Sequence, residues 1–252
     1  MPGLTLWTAN RLERLAADLA GRIRRREAED PFVPETVVIQ SRGMERWLAL
    51  EIARHNGIAA NLKFPYPETF LQTMLETVLP GTPAEAALER GPLAFGIFAL
   101  LPSMAAAAPE FAPIRAYLQS DANGVRRLQL AGQIAHLFDQ YLVFRPEMML
   151  AWDAGHVPRD DRHGAWQALL WQELARRRTG RHRAELWREL LGRLAQTPSL
   201  PPGLPRRVSV FGISYLPPFY LQALAALSRV LSVDLYQLNP CREYWADIVS
   251  RE

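Results

Sequence analysis

The run Val37-Val38-Ile39, leading into Gln40-Ser41-Arg42-Gly43-Met44 and then a helix-patterned stretch from Glu45 to His55, constrains this chain most. Branched residues favour a strand. Strand, glycine turn and helix together form the layout of a phosphate-binding loop, whose free backbone N–H groups cradle an anion at the helix start. Nucleotide hydrolysis through such a loop needs a lysine after the glycine, then Ser or Thr for magnesium. Neither follows Gly43. The only lysine, Lys63 in Asn61-Leu62-Lys63-Phe64, has no glycine loop before it. ATP hydrolysis through a P-loop of this chain's own is not expected.

Other βα units flank this one. Leu4 to Trp7 reads as a strand, followed by a helix from about Arg11 to Arg25 whose apolar positions Leu12, Leu15, Ala16, Leu19 and Ile23 recur at helical spacing. Thr36 to Gln40 is the second strand and Gly43 to His55 the second helix. Phe64-Pro65-Tyr66-Pro67 punctuates the chain before a helix over Glu68 to Leu79. From about Pro80 to Leu204 the pattern is helix after helix, clearest over Val125 to Leu142, Ala165 to Arg178 and Ala184 to Ala195. Strand character returns at Val208 to Phe211 and Val233 to Tyr236, around a helix from Pro218 to Val230. Such an order predicts one parallel α/β domain carrying a helical insertion. The stop at Glu252, soon after a strand, reads as a cut through a larger protein.

At 252 residues, with 49% hydrophobic and 22% charged side chains, the chain can bury a full core. All but one of its 29 basic residues are arginine. Arginine suits phosphate and base contacts, but codon bias gives the same enrichment, so charge alone assigns no DNA binding. A single cysteine, Cys241, excludes an internal disulfide and a Cys-based zinc site. No signal peptide is expected at the start, nor any helix long and apolar enough to cross a bilayer. A soluble, reducing, cytoplasmic setting is the resulting expectation.

Catalytic candidates are few. Gly212-Ile213-Ser214-Tyr215-Leu216 approaches a nucleophile elbow, but Leu216 replaces its second glycine, so a capped turn is expected instead of a catalytic Ser214. His55, His136, His156, His163 and His182 show no metal-binding spacing, and the adjacent Asp160 and Asp161 make a poor acid/base pair. Neither a metal nor a cofactor is expected. Binding chemistry is better represented. The stretch from His136 to Arg145 alternates aromatic and polar groups; Asp139, Gln140 and Arg145 can address base edges, and aromatic faces can stack on bases. The plainer alternative makes Leu137, Phe138, Tyr141 and Leu142 core. Arg176-Arg177-Arg178 with Arg181 and Arg183 can track a phosphate backbone or simply form a solvated face.

The chain resembles the N-terminal part of the RecC family, the gamma subunit of bacterial exodeoxyribonuclease V (RecBCD). The resemblance runs in order through Thr8-Ala9-Asn10-Arg11-Leu12, Asp30-Pro31-Phe32, Gln40-Ser41-Arg42-Gly43-Met44, Gly57-Ile58-Ala59-Ala60-Asn61 and Phe64-Pro65. It continues through Leu137-Phe138-Asp139-Gln140-Tyr141-Leu142-Val143, Gly212-Ile213-Ser214, Leu216-Pro217-Pro218 and Asn239-Pro240-Cys241-Arg242. What it implies is an α/β fold: a parallel-sheet, superfamily-1 helicase-like domain of degenerate P-loop type with a large all-helical insertion. Residues 1–85 and 205–252 would form the helicase-like domain (1A-like), and 86–204 the insertion (1B-like).

It further implies a non-catalytic subunit of a helicase–nuclease in double-strand break repair. Such a subunit holds RecB-like and RecD-like motors together, contacts single-stranded and forked DNA, and scans the 3′-ended strand for Chi. No nucleotide and no membrane would be bound. Gln40, Leu137, Asp139, Gln140, Arg145 and Arg183 keep the family's residue types on its DNA-reading face, Gln40 and Asp139 for base edges, Arg145 and Arg183 for bases or phosphates. Arg42, Arg46, Tyr66, Gln72 and His136 depart from enteric members, and the two arginines would add phosphate affinity. The alternative is a structural domain that docks the motors with little DNA contact.

Overall fold

A computed structural model of the chain describes residues 2–25, 32–81, 90–158, 161–178, 180–196, 199 and 202–241. The chain divides into two compact units, Met1–Pro80 with Leu190–Glu252, and Gly81–Glu189.

The first unit is an α/β layer. Strands β1 (Gly3–Ala9), β2 (Glu35–Val38), β3 (Leu62–Lys63), β4 (Arg207–Phe211) and β5 (Ser232–Leu238) form one sheet in the order β1-β5-β4-β2-β3, with every pairing parallel. Helices α1 (Leu12–Arg24) and α2 (Arg42–Asn56) cover one face. Leu15, Ala16, Leu19 and Ala20 of α1, at helical spacing, meet Leu48 and Ile52 of α2 over Val37, Ile39, Phe211 and Tyr236. Because strand side chains alternate, Val38, Val208, Val210 and Val233 are buried on the opposite face. There α10 (Pro218–Leu227) packs on β5 and touches α3 (Pro67–Val78).

Two buried carboxylates tie the strands together. Arg207 grips Glu35 across β4 and β2 with Nε and Nη2, each 2.9 Å from a carboxylate oxygen. Asp234 on β5 accepts from Trp7 Nε1 of β1 at 3.0 Å and from Arg22 of α1 at 3.2 Å. The Arg22 guanidinium lies 4.5 Å from the centroid of the Trp7 ring, which stacks on Tyr236. Burial, then the nearby Asp234 charge, pushes the Tyr236 phenol well above its ordinary pKa.

The expected glycine turn before the second helix is corrected. Ile39, Gln40 and Ser41 alone join β2 to α2, and Gly43 lies inside the helix. Ser41 is the N-cap, its hydroxyl accepting from Met44 N at 3.2 Å. Glycine is required instead at the helix exit and after β4: Gly57 caps α2 at φ +83°, and Gly212 turns at φ +65° with its Cα facing Met44. Ser214 is exposed in the loop that follows, before α10 starts at Pro218, so a strand-to-helix elbow does not form.

In the second unit the described elements are α4 (Arg90–Ala107), a 3-10 turn (Pro109–Phe111), α5 (Ala112–Leu118), α6 (Val125–Phe144), α7 (Pro146–Asp153) and α8 (Arg162–Arg177). The unit boundary falls within α9 (Arg183–Gln196). Phe138 is fully buried, with Trp152 and Trp171 edge-on to it at 6.3 and 5.4 Å. One expectation fails here. Helix α4 is long and apolar enough to cross a membrane by length and composition. Its Leu93, Ile97, Leu100, Leu101 and Ala105 are instead buried in the core of this unit, against Ala131, Ile134 and Phe138 of α6.

Candidate nucleic-acid interface

Parallel α/β sheets present their ligand-facing loops at the carboxyl ends of the strands. In the first unit that edge carries Gln40, exposed just after β2, then Arg42 as the first residue of α2 and Arg46 one turn further on. Residues four apart share a helix face, so both guanidinium groups point the same way. Both are exposed, and among the described residues neither forms an ion pair. The positive end of the helix dipole adds to their charge. Gln40, Arg42 and Arg46 are therefore brought together as one exposed polar and basic edge.

The remaining candidates belong to the second unit. Leu137 and Gln140, three residues apart on α6, share a half-buried face with Tyr141. Asp139 projects roughly 160° round the helix from Leu137. Asp139 thus lies on a different side of α6 from Leu137. Phe138 and Leu142 are core, so their faces cannot stack on bases. Tyr141 is half-buried against Phe138 and Trp152. Arg145 is exposed where α6 passes into α7, its N–H donating to Tyr141 O at 2.8 Å and its guanidinium 5.6 Å from the Tyr141 ring centroid. Arg183 opens α9, half-buried, with its guanidinium 5.7 Å from the Trp187 ring centroid.

The arginine cluster departs from a phosphate-tracking strip. Arg176 and Arg177 both pair with Glu173, Arg178 makes a two-point contact with Glu185, and Arg181 pairs with Glu189. The Arg177 hydrogen bond holds Glu173 below the usual glutamate range. Burial pushes Glu185 up, but the Arg178 fork and the His182 backbone N–H outweigh it and lower its pKa overall. These carboxylates already answer most of the cluster's charge.

Sequence reasoning overlooked the polar node beside this cluster. His182 precedes α9 and Glu185 sits three residues on; His182 N donates to Glu185 Oε2 at 2.9 Å, and Glu185 N donates to His182 Nδ1 at 3.3 Å. The pattern is a capping box with histidine in the serine position, legible as His-x-x-Glu before an apolar run. With Nδ1 accepting, Nε2 carries the proton of the neutral ring and donates to Asp153, which also accepts from Trp171 Nε1 at 2.9 Å. Asp153, His182 and Glu185 offer ligand atoms within 4.8 Å of one another, a spacing that fits a metal. Each of those atoms is, however, engaged with a protein hydrogen-bond partner, which assigns the node to holding α7, α8 and α9 together.

Residues 4–252 match the family described as RecC, N-terminal domain. The RecBCD enzyme subunit RecC of Escherichia coli (strain K12) is 39% identical over 251 residues, covering 97% of this chain and 22% of that protein. The subunit of the same name from Haemophilus influenzae is 33% identical over 269 residues, covering 96% of this chain and 24% of that protein. For Mycolicibacterium smegmatis the identity is 26% over 255 residues, with 99% and 22% covered. This chain spans less than a quarter of the length of these relatives. Matched along nearly its whole length, it belongs to the RecC family and corresponds to that family's N-terminal domain.

Proposed function

We propose that this chain is a non-catalytic, DNA-contacting and scaffolding domain of a RecBCD-type helicase–nuclease in double-strand break repair. In that role it would contact the 3′-ended single strand during the search for Chi, beside RecB-like and RecD-like subunits. One observation carries the reading: an exposed edge of Gln40, Arg42 and Arg46 at the carboxyl end of a parallel sheet whose strand-to-helix connections contain no lysine. Asn10-Arg11 after β1, Ile39-Gln40-Ser41 after β2 and residues 212–217 after β4 are all built this way. A helicase-like sheet without the phosphate-binding lysine retains a place to hold a strand and loses the means to hydrolyse ATP there. In this reading 1–85 and 205–252 form the 1A-like domain and 86–204 the 1B-like helical insertion.

A second reading, a domain that docks the motor subunits and touches DNA little, gains support from the paired arginines at the end of α8 and in the turn before α9. Single-stranded DNA binding followed by fluorescence anisotropy across a salt series separates the two. The proposed function expects salt-sensitive binding that weakens in Arg145→Ala and Arg183→Ala. Binding indifferent to salt and to both substitutions favours the docking domain.

A further inference from the structure

Helix α4 has an outer side that the described residues leave bare. Its Leu93, Ile97, Leu100, Leu101 and Ala105 face the core. Opposite them Phe95, Ala99, Pro102 and Ala106 recur at spacings of four, three and four, so they form one exposed stripe. Phe95 is 68% exposed. No charged residue follows Arg90 anywhere in α4, although the solvent side of a helix ordinarily carries charge. By the rise of an α-helix, the stripe from Phe95 to Ala106 is about 16 Å long.

Pro102 and Ala106 also line a cleft of about 640 Å³ between α4, α5 and the start of α6, and Arg115 and Arg127 line it with them. Arg115 caps the end of α4, donating through Nε to Ala105 O at 2.6 Å and through Nη2 to Ala108 O at 3.2 Å. The Arg127 guanidinium lies 3.9 Å from the centroid of the Phe98 ring, and its buried Nε has no hydrogen-bond partner. Asp121, in the cleft wall, does not answer these charges directly: its carboxylate accepts from the backbone N–H groups of Arg126 and Arg127 at 3.1 and 3.0 Å. Among the described residues Arg90, Arg115 and Arg127 form no ion pair.

An uncharged stripe with an aromatic residue on it and unpaired arginines at both ends is built like a binding surface. We propose that it receives an amphipathic helix of another subunit, about three turns long, whose apolar side lies along the stripe and whose Asp or Glu side chains reach Arg115 and Arg127. The class of partner rests on the subunit role proposed above. Charge selects an acidic occupant, since the guanidinium groups bordering the stripe lack carboxylates of their own. Arginine is enriched at interfaces and rare in cores, which points to a second chain instead of this chain's own interior. A nucleic-acid strand carries a phosphate at every nucleotide, and the stripe between Arg90 and the cleft offers those phosphates no charge. A bilayer surface is flat, whereas the stripe ends in a concave cleft that a projecting side chain can enter.

The family-length polypeptide, assembled with its RecB-like and RecD-like subunits and carrying a photo-reactive benzoylphenylalanine in place of Phe95, tests this. Ultraviolet crosslinks mapped by mass spectrometry should join this position to a helix-patterned acidic segment of another subunit. Arg127→Glu should weaken association of the subunits by about ten-fold or more, and reversing the charge of the crosslinked acidic residues should restore most of the loss. Crosslinks confined to the same polypeptide, to a second copy of it, to added DNA or to anionic vesicles overturn the proposal. Crosslinks to a basic segment, or association indifferent to Arg127→Glu, overturn the charge pairing on which the choice of partner stands. Assembly without any crosslink from this position overturns the proposal and leaves the subunit role intact. A parent polypeptide that assembles with neither subunit removes that role, and the proposal with it.

Discussion

Glu35 and Arg207 lie 172 residues apart in the chain yet meet as a two-point ion pair between β2 and β4, with the carboxylate almost wholly buried. The contact joins the strand before the helical unit to the strand after it. Removing Arg207 takes both contacts of this fork away from a buried carboxylate, so Arg207→Ala should lower unfolding stability by about 3 kcal/mol. Replacing both residues with methionine should recover most of that loss, since the desolvation penalty goes with the charges. Urea denaturation followed by circular dichroism reads both variants.

His182 should prove a structural keystone for α9. In His182→Ala the Glu185 N–H and the Asp153 carboxylate both lose a partner, at a cost of about 2–3 kcal/mol from the unsatisfied groups. Trp171 shares Asp153 with His182 and packs against its ring at 5.5 Å, so its fluorescence should report the change. His182→Asn keeps the ability to cap the helix and should recover about 1 kcal/mol.

Acid should weaken the same node through Glu185. Its folded pKa lies below the ordinary value of 4.5, so the folded state holds this proton less tightly than the unfolded chain. The stabilisation is therefore complete above the unfolded value and is lost as pH falls from there through the lowered folded pKa. Stability against pH should decline less steeply below pH 4.5 in Glu185→Gln than in the parent chain. Thermal melts across the acid range would reveal the difference in slope.

How much of this was legible in the sequence depended on the reach of each interaction. Val37, Val208 and Val233 sit in short branched runs bounded by turns, and β2, β4 and β5 were readable from them. The stripe of Leu15 and Leu19 gave α1 its buried face for the same reason. β3 escaped because Leu62 and Lys63 are too few to show a period; their pairing to Glu35 and Thr36 comes from the neighbouring strand. Gly43 misled, because glycine after a strand suggests a turn and only the Ser41 cap reveals that the helix has already begun. Helix α4 is apolar on nearly every side, so no periodic stripe advertised it. Of the site, the neutralisation of Arg176 and Arg177 by Glu173 was readable at helical spacing. The partners of Arg178 and Arg181 lie across the chain's turn into α9, beyond local pattern.

The contrast between free and paired arginines yields a quantitative test of the proposed interface. Arg42 and Arg46 are exposed, share one face of α2 and, among the described residues, have no carboxylate partner. If each neutralises one phosphate of a single strand, the double substitution to alanine should flatten the plot of log affinity against log salt by roughly 1.4. Arg176 and Arg177 share the single carboxylate of Glu173, which leaves the trio one net positive charge. Their double substitution should flatten the same plot by no more than about 0.7. Equal effects from the two pairs would place the strand elsewhere than the Gln40 edge. A larger effect from Arg176 and Arg177 would shift the DNA contact to α8.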